Sequence, residues 1–180
     1  MNGTAMKVLV LSTALFSLPV LAQSTDPAGL PGCGDASSKF KVENFGGRQG
    51  VQPDAGKALV YFIEDDSNFG SYPKPTTRAG LDGKWVGATH GSSYLTFSVD
   101  PGVHHLCSSW QLGVILGKGH QTAAAHFTAE AGGVYYFEVK NTFILAESSA
   151  ITDVTLKPLD SDEARLLVNK LPLSVSRRKD

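Results

Sequence analysis

The five histidines are the clearest candidates for metal chemistry, because they all lie between positions 90 and 126. Imidazole groups that converge from adjacent strands can bind zinc or copper. His104 and His105 are consecutive in a predicted strand, however, so their side chains point to opposite faces. His104 shares its face with Leu106 and Trp110, which predicts a hydrogen-bonded histidine in or beside the core. The spacing therefore favours structural or exposed histidines and predicts no cofactor; a small metal- or ligand-binding site in the His90–His126 region stays as the alternative. The five residues are His90, His104, His105, His120 and His126.

A serine nucleophile is the second possibility, since Ser92 and Ser93 follow His90 after one glycine. A serine hydrolase places its nucleophile on a sharp strand-to-helix turn. These serines lie instead at the tip of a predicted hairpin. We therefore expect no enzyme and no catalytic residue.

Two further short motifs could bind ions or phosphate. The acidic run Glu64–Asp66 lacks the alternating oxygen ligands of a calcium loop. We interpret it as a solvated strand end. Gly117–Gly119 is too short to form a phosphate-binding loop. Neither motif predicts a ligand site.

The run Tyr135-Tyr136-Phe137 is the strongest aromatic feature. Strand alternation places Tyr135 and Phe137 on one face and Tyr136 on the other. This pattern favours core packing, with a tyrosine hydroxyl bonded at a corner. The alternative is a binding surface of exposed aromatic side chains that includes Trp85 or Tyr94.

The N-terminal residues have the pattern of a secretory signal peptide. Lys7 is followed by an apolar stretch, a proline and small residues, and cleavage is expected after Ala22. Translation from either Met1 or Met6 fits this pattern. No cysteine follows the cleavage point, which argues against a lipid anchor. We expect an exported protein, either periplasmic or extracellular.

Export gives the two cysteines a specific interpretation. In an oxidising compartment Cys33 and Cys107 are candidates for a disulfide, whereas two free thiols are the alternative. Cys107 lies on the strand face opposite Trp110. If Trp110 points into the core, the bridge fastens the preceding segment to the outside of a sheet.

Composition excludes several classes of protein. The chain has 180 residues, 42% hydrophobic and 18% charged, with 16 basic and 17 acidic side chains. A formal charge of −1 lacks the basic excess that is typical of nucleic-acid binders. Beyond the N-terminal stretch no apolar run is long enough to span a membrane, so we expect no transmembrane span in the mature chain.

Short alternating segments separated by turn residues predict an all-β fold. We divide the chain into a signal peptide (1–22), an extended leader (23–56), a β-sandwich domain (57–158), and a C-terminal helix and tail (159–180). The leader has one possible edge strand at Lys39–Glu43, and Ser161 is the expected cap of a helix that Pro172 ends. Seven strands with regular turns predict an immunoglobulin-like antiparallel β-sandwich. The strands are Ala58–Glu64, Trp85–His90, Tyr94–Val99, Val103–Leu112, Ala123–Ala129, Val134–Lys140 and Ile151–Lys157.

Four sequence blocks occur in an order that resembles a known family. They are Gly56–Phe62, Leu81–Gly87 (LDGKWVG), Phe97–Cys107 (FSVDPGVHHLC) and Phe127–Phe137 (FTAEAGGVYYF). The series resembles the DUF2846 family of bacterial envelope proteins of unknown function, and more loosely the PEGA-like β-sandwich modules. The resemblance implies a β-sandwich and an envelope location, and brings no catalytic residues. Many relatives look like lipoproteins, whereas this chain lacks the lipid-acceptor cysteine.

Together these patterns predict an exported, non-enzymatic β-sandwich that is an accessory or interaction module of the bacterial cell envelope. Its expected partner is an envelope protein or a glycan, and not a nucleic acid. Contact is expected through a sheet face or through the loops Asp65–Gly80 and Gly113–Gln121, because long loops on a rigid sandwich are common binding elements.

Overall fold

The computed structural model describes residues 32–46, 51–70, 73–111, 117–147 and 149–179. The predicted signal peptide and its cleavage site after Ala22 lie outside these residues. The described residues form eleven strands and one helix. They are β1 Lys39–Phe45, β2 Ala58–Asn68, β3 Thr76–Leu81, β4 Lys84–His90, β5 Tyr94–Val99, β6 Gly102–Trp110, β7 Gly117–Gly119, β8 Thr122–Ala129, β9 Val134–Ala146, β10 Ser149–Pro158, α1 Ser161–Val168 and β11 Leu173–Lys179.

The strands form two sheets that pack as a sandwich, which confirms the predicted fold class. The larger sheet has the order β1-β11-β5-β2-β9-β10-β7, and the smaller sheet has the order β4-β3-β6-β8. The larger sheet is mixed rather than purely antiparallel, because β2 pairs with β9, β10 with β7 and β11 with β5 in parallel. The smaller sheet is antiparallel throughout.

The expected number of about seven strands was too small. All seven predicted strands are present, and β1 extends the possible edge strand at Lys39–Glu43 to Phe45. The other three strands are β3, β7 and β11. The end of β2 and most of β3 lie within the predicted surface loop Asp65–Gly80. The prediction of a loop is therefore wrong over most of this range. Likewise Gly117–Gly119 pairs with β10 inside the predicted loop Gly113–Gln121, of which residues 113–116 lie outside the described residues.

The main core lies between the two sheets and explains the doubly apolar sequence of β2. Val60 and Phe62 point inward into this core, where they join Trp110 and Phe137. The alternate residue Ile63 points outward into a second cluster beneath α1. Because β2 is buried on both faces, its sequence lacks the polar alternation of a half-exposed strand. Burial of one such large apolar side chain contributes about 1.5–3 kcal/mol.

Helix α1 covers the middle of the larger sheet's outer face. Its cap is Asp160 rather than the expected Ser161, because the Asp160 carboxylate accepts from the backbone N–H groups of Asp162 and Glu163. The buried Ala164 packs in the same cluster as Tyr94 and Leu173. The chain then returns to the larger sheet as β11. Within the described part of the chain, no helix has the length and apolar character needed to cross a membrane.

Candidate functional site

A cluster of polar side chains lies buried between the two sheets, and we call it the interior polar cluster. Glu64 and Asp66 come from β2, Thr77 from β3, Trp110 from β6 and Asn141 from β9. All five side chains are buried, and Glu64 and Asn141 have no exposed surface. Their inward positions follow from strand alternation, since Glu64 and Asp66 continue the inward series of Val60 and Phe62.

Asn141 is the centre of this cluster, and its orientation is fixed by hydrogen bonds. Its Oδ1 accepts from the indole Nε1–H of Trp110 at 2.8 Å. Its amide nitrogen therefore faces the two carboxyl groups, at 2.7 Å from Glu64 Oε1 and 2.8 Å from Asp66 Oδ1. Thr77 donates its hydroxyl hydrogen to Glu64 Oε1 as well. One amide thus links both sheets of the sandwich.

The pKa values of both carboxyl groups are raised. Burial raises the pKa of Glu64 well above its ordinary value, and the nearby Asp66 raises it further, although the hydrogen bonds from Thr77 and Asn141 act in the opposite direction. Burial also raises the pKa of Asp66, against the lowering effect of Asn141. Among the described residues, neither Glu64 Oε2 nor Asp66 Oδ2 has a hydrogen-bond partner. This arrangement favours proton-bearing carboxyl groups over a buried pair of charges.

The acidic run Glu64–Asp66 is therefore not the solvated strand end that we expected. Only Asp65, on the outer face, is partly exposed, and it pairs with Lys140 at 3.1 Å. The expectation was wrong because acidic composition suggested solvent, whereas period-two alternation continues through the run. That alternation was the available sequence signal. The cluster is a buried hydrogen-bonded link between the sheets, in which donors from Asn141 and Thr77 contact the carboxyl groups.

The predicted disulfide is present on the outer face of the smaller sheet. Cys33 and Cys107 are bonded, with their Cα atoms 5.1 Å apart and a separation of 74 positions in sequence. Trp110 points into the core and Cys107 points away from it, as the alternation required. Gly80 allows the close approach of the leader, because a Cβ atom there would collide with the Gly32 carbonyl. The bridge thus fastens the leader to the outside of a sheet.

Arg78 is the buried cation of this same outer face. Its guanidinium donates to the carbonyl oxygens of Ala36 at 2.9 Å and Ser38 at 3.1 Å, both in the leader. It also donates to the Trp110 carbonyl at 3.2 Å and lies 4.3 Å from the centre of the Trp85 ring. Burial lowers the pKa of its guanidinium, which nevertheless stays charged because arginine does not lose its proton in proteins. Sequence reasoning missed this residue, since nothing near Arg78 indicates that a distant segment covers it.

His104 is the boundary histidine that its strand position predicted. Its Nδ1 lies 2.6 Å from Asp82 Oδ2, and its Nε2 lies 2.7 Å from the Asp100 carbonyl oxygen. Because a carboxylate and a carbonyl oxygen are acceptors, these contacts favour the imidazolium, in which both ring nitrogens donate. Burial disfavours that charge, but the contacts with Asp82 and Asp100 outweigh it and raise the pKa of His104. The histidine joins the β3–β4 and β5–β6 turns.

The other histidines do not converge on one point. His105 and His126 are opposite each other on β6 and β8, with ring centres 6.5 Å apart, and both are exposed. His90 contacts the Pro75 carbonyl through Nδ1 at 3.1 Å, and His120 is exposed after β7. Within the described residues, no group of three or more His, Cys, Asp or Glu side chains has the geometry to hold a metal ion.

The serines beside His90 are engaged in structural contacts. Ser92 Oγ accepts from the Asp66 backbone N–H at 3.2 Å. Ser93 is buried, and its Oγ donates to the Gly91 carbonyl at 2.8 Å while accepting from Ser174 Oγ at 2.8 Å. Both contacts hold the β4–β5 turn against neighbouring strands. The residue types of a hydrolase are present here, in an arrangement that supports a turn.

The aromatic residues follow the predicted alternation. Phe137 lies in the core, and Tyr135 accepts at its hydroxyl from the Glu130 backbone N–H at 2.9 Å, which is the expected corner contact. Tyr136 points outward and stacks on Tyr61 with ring centres 4.9 Å apart. The alternative surface of free aromatics is wrong for Tyr94, which is fully buried. Trp85 is partly exposed, and its Nε1–H donates to the Asp35 carbonyl of the leader at 2.7 Å.

The outer face of the larger sheet is covered only in its middle. Helix α1 packs there, whereas large apolar side chains on both sides of it are about half exposed. Ile144 and Ile151 are opposite each other on β9 and β10. Phe45 and Val175 occupy the same face at the β1–β11 edge. Apolar side chains gathered on one face in this way are typical of interaction surfaces.

Comparison with family models, with curated proteins and with solved structures finds no match to this chain. Its own residues are therefore the basis on which a function can be inferred.

Proposed function

We propose that this protein is an exported, non-enzymatic interaction module of the bacterial cell envelope. The observation that carries this proposal is the partly uncovered outer face of the larger sheet, where Ile144 and Ile151 form an exposed apolar pair. A face of this kind gains free energy when a partner removes it from water. The preferred partner is an envelope protein or a glycan.

The export part of the proposal is supported by the disulfide. Bonds of this type form in secreted and periplasmic proteins and are rare in the cytosol. The Cys33–Cys107 bridge holds the leader over Arg78, so the bond is built into the packing of the smaller sheet. Two expectations from the sequence agree with the proposed export. They are the signal-like residues before Ala22 and the resemblance to the DUF2846 family.

The proposal is tested by photo-crosslinking in intact cells. A photoreactive residue replaces Ile144 or Ile151 in one set of variants. In the control it replaces Val103, which is exposed on the outer face of the smaller sheet. We expect capture of a discrete envelope component from the first two positions and not from Val103. Equal capture at all three positions, or capture at none, contradicts the proposal.

The alternative function is metal binding by the histidines, and the observation in its favour is the exposed pair His105 and His126. Two imidazoles from adjacent strands can provide part of a zinc or copper site. Metal analysis of protein purified without an affinity tag tests it. Stoichiometric zinc or copper that is lost in the His105→Ala/His126→Ala variant favours the alternative, and metal-free protein contradicts it.

A further inference from the structure

The two-stranded ribbon of β1 and β11 carries an unusual set of charges on its outer face. Lys39 is directly opposite Lys179, and Lys41 is directly opposite Arg177. All four side chains are exposed. We call these four residues the cationic face. Strand geometry brings them within about 7 Å along the strand and about 5 Å across it.

Stability of the sheet does not explain this pattern. Like charges that are directly opposite on neighbouring strands destabilise the pair. Lysines on an edge strand do prevent edge-to-edge aggregation, which accounts for Lys39 and Lys41 on β1. That role does not require a second cation opposite each of them, as Arg177 and Lys179 provide. The arrangement is therefore better explained by an anionic partner.

Little negative charge on the ribbon compensates for these cations. Among the described outward-facing residues of β1 and β11, Glu43 is the one acidic side chain, and it pairs with Lys41 at 3.1 Å. Lys41 and Arg177 together lower the pKa of Glu43. Asp180, which follows Lys179, lies outside the described residues. The whole chain has a formal charge of −1, so the cationic face is a local concentration of charge.

Exposed apolar side chains continue the same face. Glu43 is opposite Val175, and the next outward residue of β1 is Phe45, opposite the buried Leu173. Phe45 and Val175 are each nearly half exposed. Basic side chains next to exposed aromatic and aliphatic groups are the combination by which protein surfaces bind the interface of an anionic membrane.

We propose that the β1–β11 ribbon binds the surface of an anionic phospholipid bilayer, with the cationic face on the lipid phosphates and with Phe45 and Val175 in the interface. This inference rests on the proposed function as an envelope interaction module and assigns one of its partners. The other face of the ribbon is directed toward the smaller sheet, where Ser176 Oγ accepts from the Ala88 backbone N–H of β4 at 3.0 Å. We therefore assign the outer face to the membrane.

The first test is co-sedimentation of the oxidised protein with vesicles of phosphatidylglycerol and phosphatidylcholine. Lys39→Gln/Lys179→Gln is the test variant, and Lys84→Gln/Lys170→Gln is the control with the same change in charge at exposed lysines elsewhere. We expect the test variant to bind about 30-fold more weakly, since each basic side chain near such a surface contributes about fivefold. The control changes little. Both variants have the same N-terminus, so the apolar residues before Ala22 contribute equally.

The second test separates a bilayer from a soluble polyanion. Phe45→Ser/Val175→Ser is expected to weaken vesicle binding about tenfold through the loss of buried apolar area, and to leave binding of inorganic polyphosphate unchanged. Circular dichroism shows whether each variant is folded, and Phe45→Leu replaces the serine variant if that one unfolds. In this case the aliphatic side chain is expected to retain most of the binding.

Three results overturn the proposal. They are no binding to the anionic vesicles, equal losses in the test and control lysine variants, and binding to polyphosphate without binding to vesicles. Failure here is distinguishable from failure of the proposed function. Crosslinking at Ile144 and Ile151 reports on the opposite end of the sheet, and it can capture a partner whether or not the ribbon binds lipid.

Discussion

Two adjacent residues of β3 show how differently the two faces of the smaller sheet accommodate a buried ionisable group. Thr77 points inward and donates to Glu64, an acid that has no exposed surface. Arg78 points outward and donates to carbonyl oxygens of the leader. The Glu64 carboxyl group lies among side chains of neighbouring strands, whereas the Arg78 guanidinium is covered by the leader, which the Cys33–Cys107 disulfide fixes in place.

The difference follows from the chemistry of the two groups. A carboxyl group in a sealed interior can take up a proton and so avoid an unpaired buried charge. A guanidinium cannot lose its proton in a protein, so it needs acceptors for its N–H groups. Backbone carbonyls of an irregular segment provide those acceptors. An acid is therefore tolerated between the sheets, while the arginine requires a covering segment.

The largest expected effect comes from releasing the leader that covers Arg78. In Cys33→Ser/Cys107→Ser we expect the free energy of unfolding to fall by about 4 kcal/mol, because the bond closes a long loop. Denaturant unfolding measures this change. In hydrogen exchange, the backbone amides around Arg78 should lose their protection. The backbone amides around Asn141 should still exchange only through global unfolding. Uniform loss of protection on both faces would contradict the independence of the two regions.

The second effect tests the inner region. Asn141→Leu removes the N–H groups that face Glu64 and Asp66 and the acceptor of the Trp110 indole, so we expect a loss of about 3 kcal/mol. Asn44→Leu is the matched control. Its amide nitrogen donates to the His90 carbonyl at an exposed position, and its Oδ1 accepts from Ser174 Oγ. Water can replace the first contact and Ser93 Oγ remains as an acceptor for Ser174, so we expect a loss of about 1 kcal/mol or less. Thermal or urea unfolding compares the two, and equal losses would refute the central role of Asn141.

The third effect tests the acceptors of the outer face. Arg78→Met retains the apolar stem but leaves buried carbonyl oxygens without donors, and we expect a loss of about 2 kcal/mol. Faster proteolysis within residues 34–38 should accompany it. Arg165→Met, on the exposed surface of α1, is the control and should change neither quantity. An unchanged proteolysis pattern in Arg78→Met would show that the disulfide alone holds the leader.

The smallest expected effect is the dependence of the free energy of unfolding on pH that Glu64 causes. The raised pKa of Glu64 means that the folded protein keeps a proton which the unfolded chain releases above its ordinary value of 4.5. Stability is therefore fully present below that value and falls as the pH rises toward the folded pKa, by at most about 1.4 kcal/mol per pH unit for this group. In Glu64→Gln we expect a flatter profile in urea unfolding from acid to neutral pH.

Glu147→Gln is the control for this pH dependence, since Glu147 is exposed. It should keep the profile of the original protein. A Glu64→Gln profile with the original slope would assign the dependence to other groups, such as Asp66 or His104, whose pKa values are also raised.

Much of the fold could be predicted from local patterns. The seven predicted strands formed, because period-two alternation and turn residues such as those of Asp100–Gly102 are local properties. Alternation also placed Cys107 and Trp110 on opposite faces. The strands that were missed are those with weak local signals: β3 lies in a polar stretch, β7 has three residues, and β11 follows the helix with a basic sequence. Each of these depends on a neighbouring strand for its hydrogen bonds.

The sequence by itself determined the sandwich class, the position of the helix, the pairing of the only two cysteines and the faces of the aromatic residues. These properties depend on the alternation and identity of nearby residues. Only the tertiary structure decided that Glu64 and Asp66 are buried, that Arg78 is covered by the leader and that four cations meet on the β1–β11 ribbon. Each of those outcomes depends on segments far apart in sequence, and burial and charge density are set by what packs against a residue rather than by its neighbours along the chain.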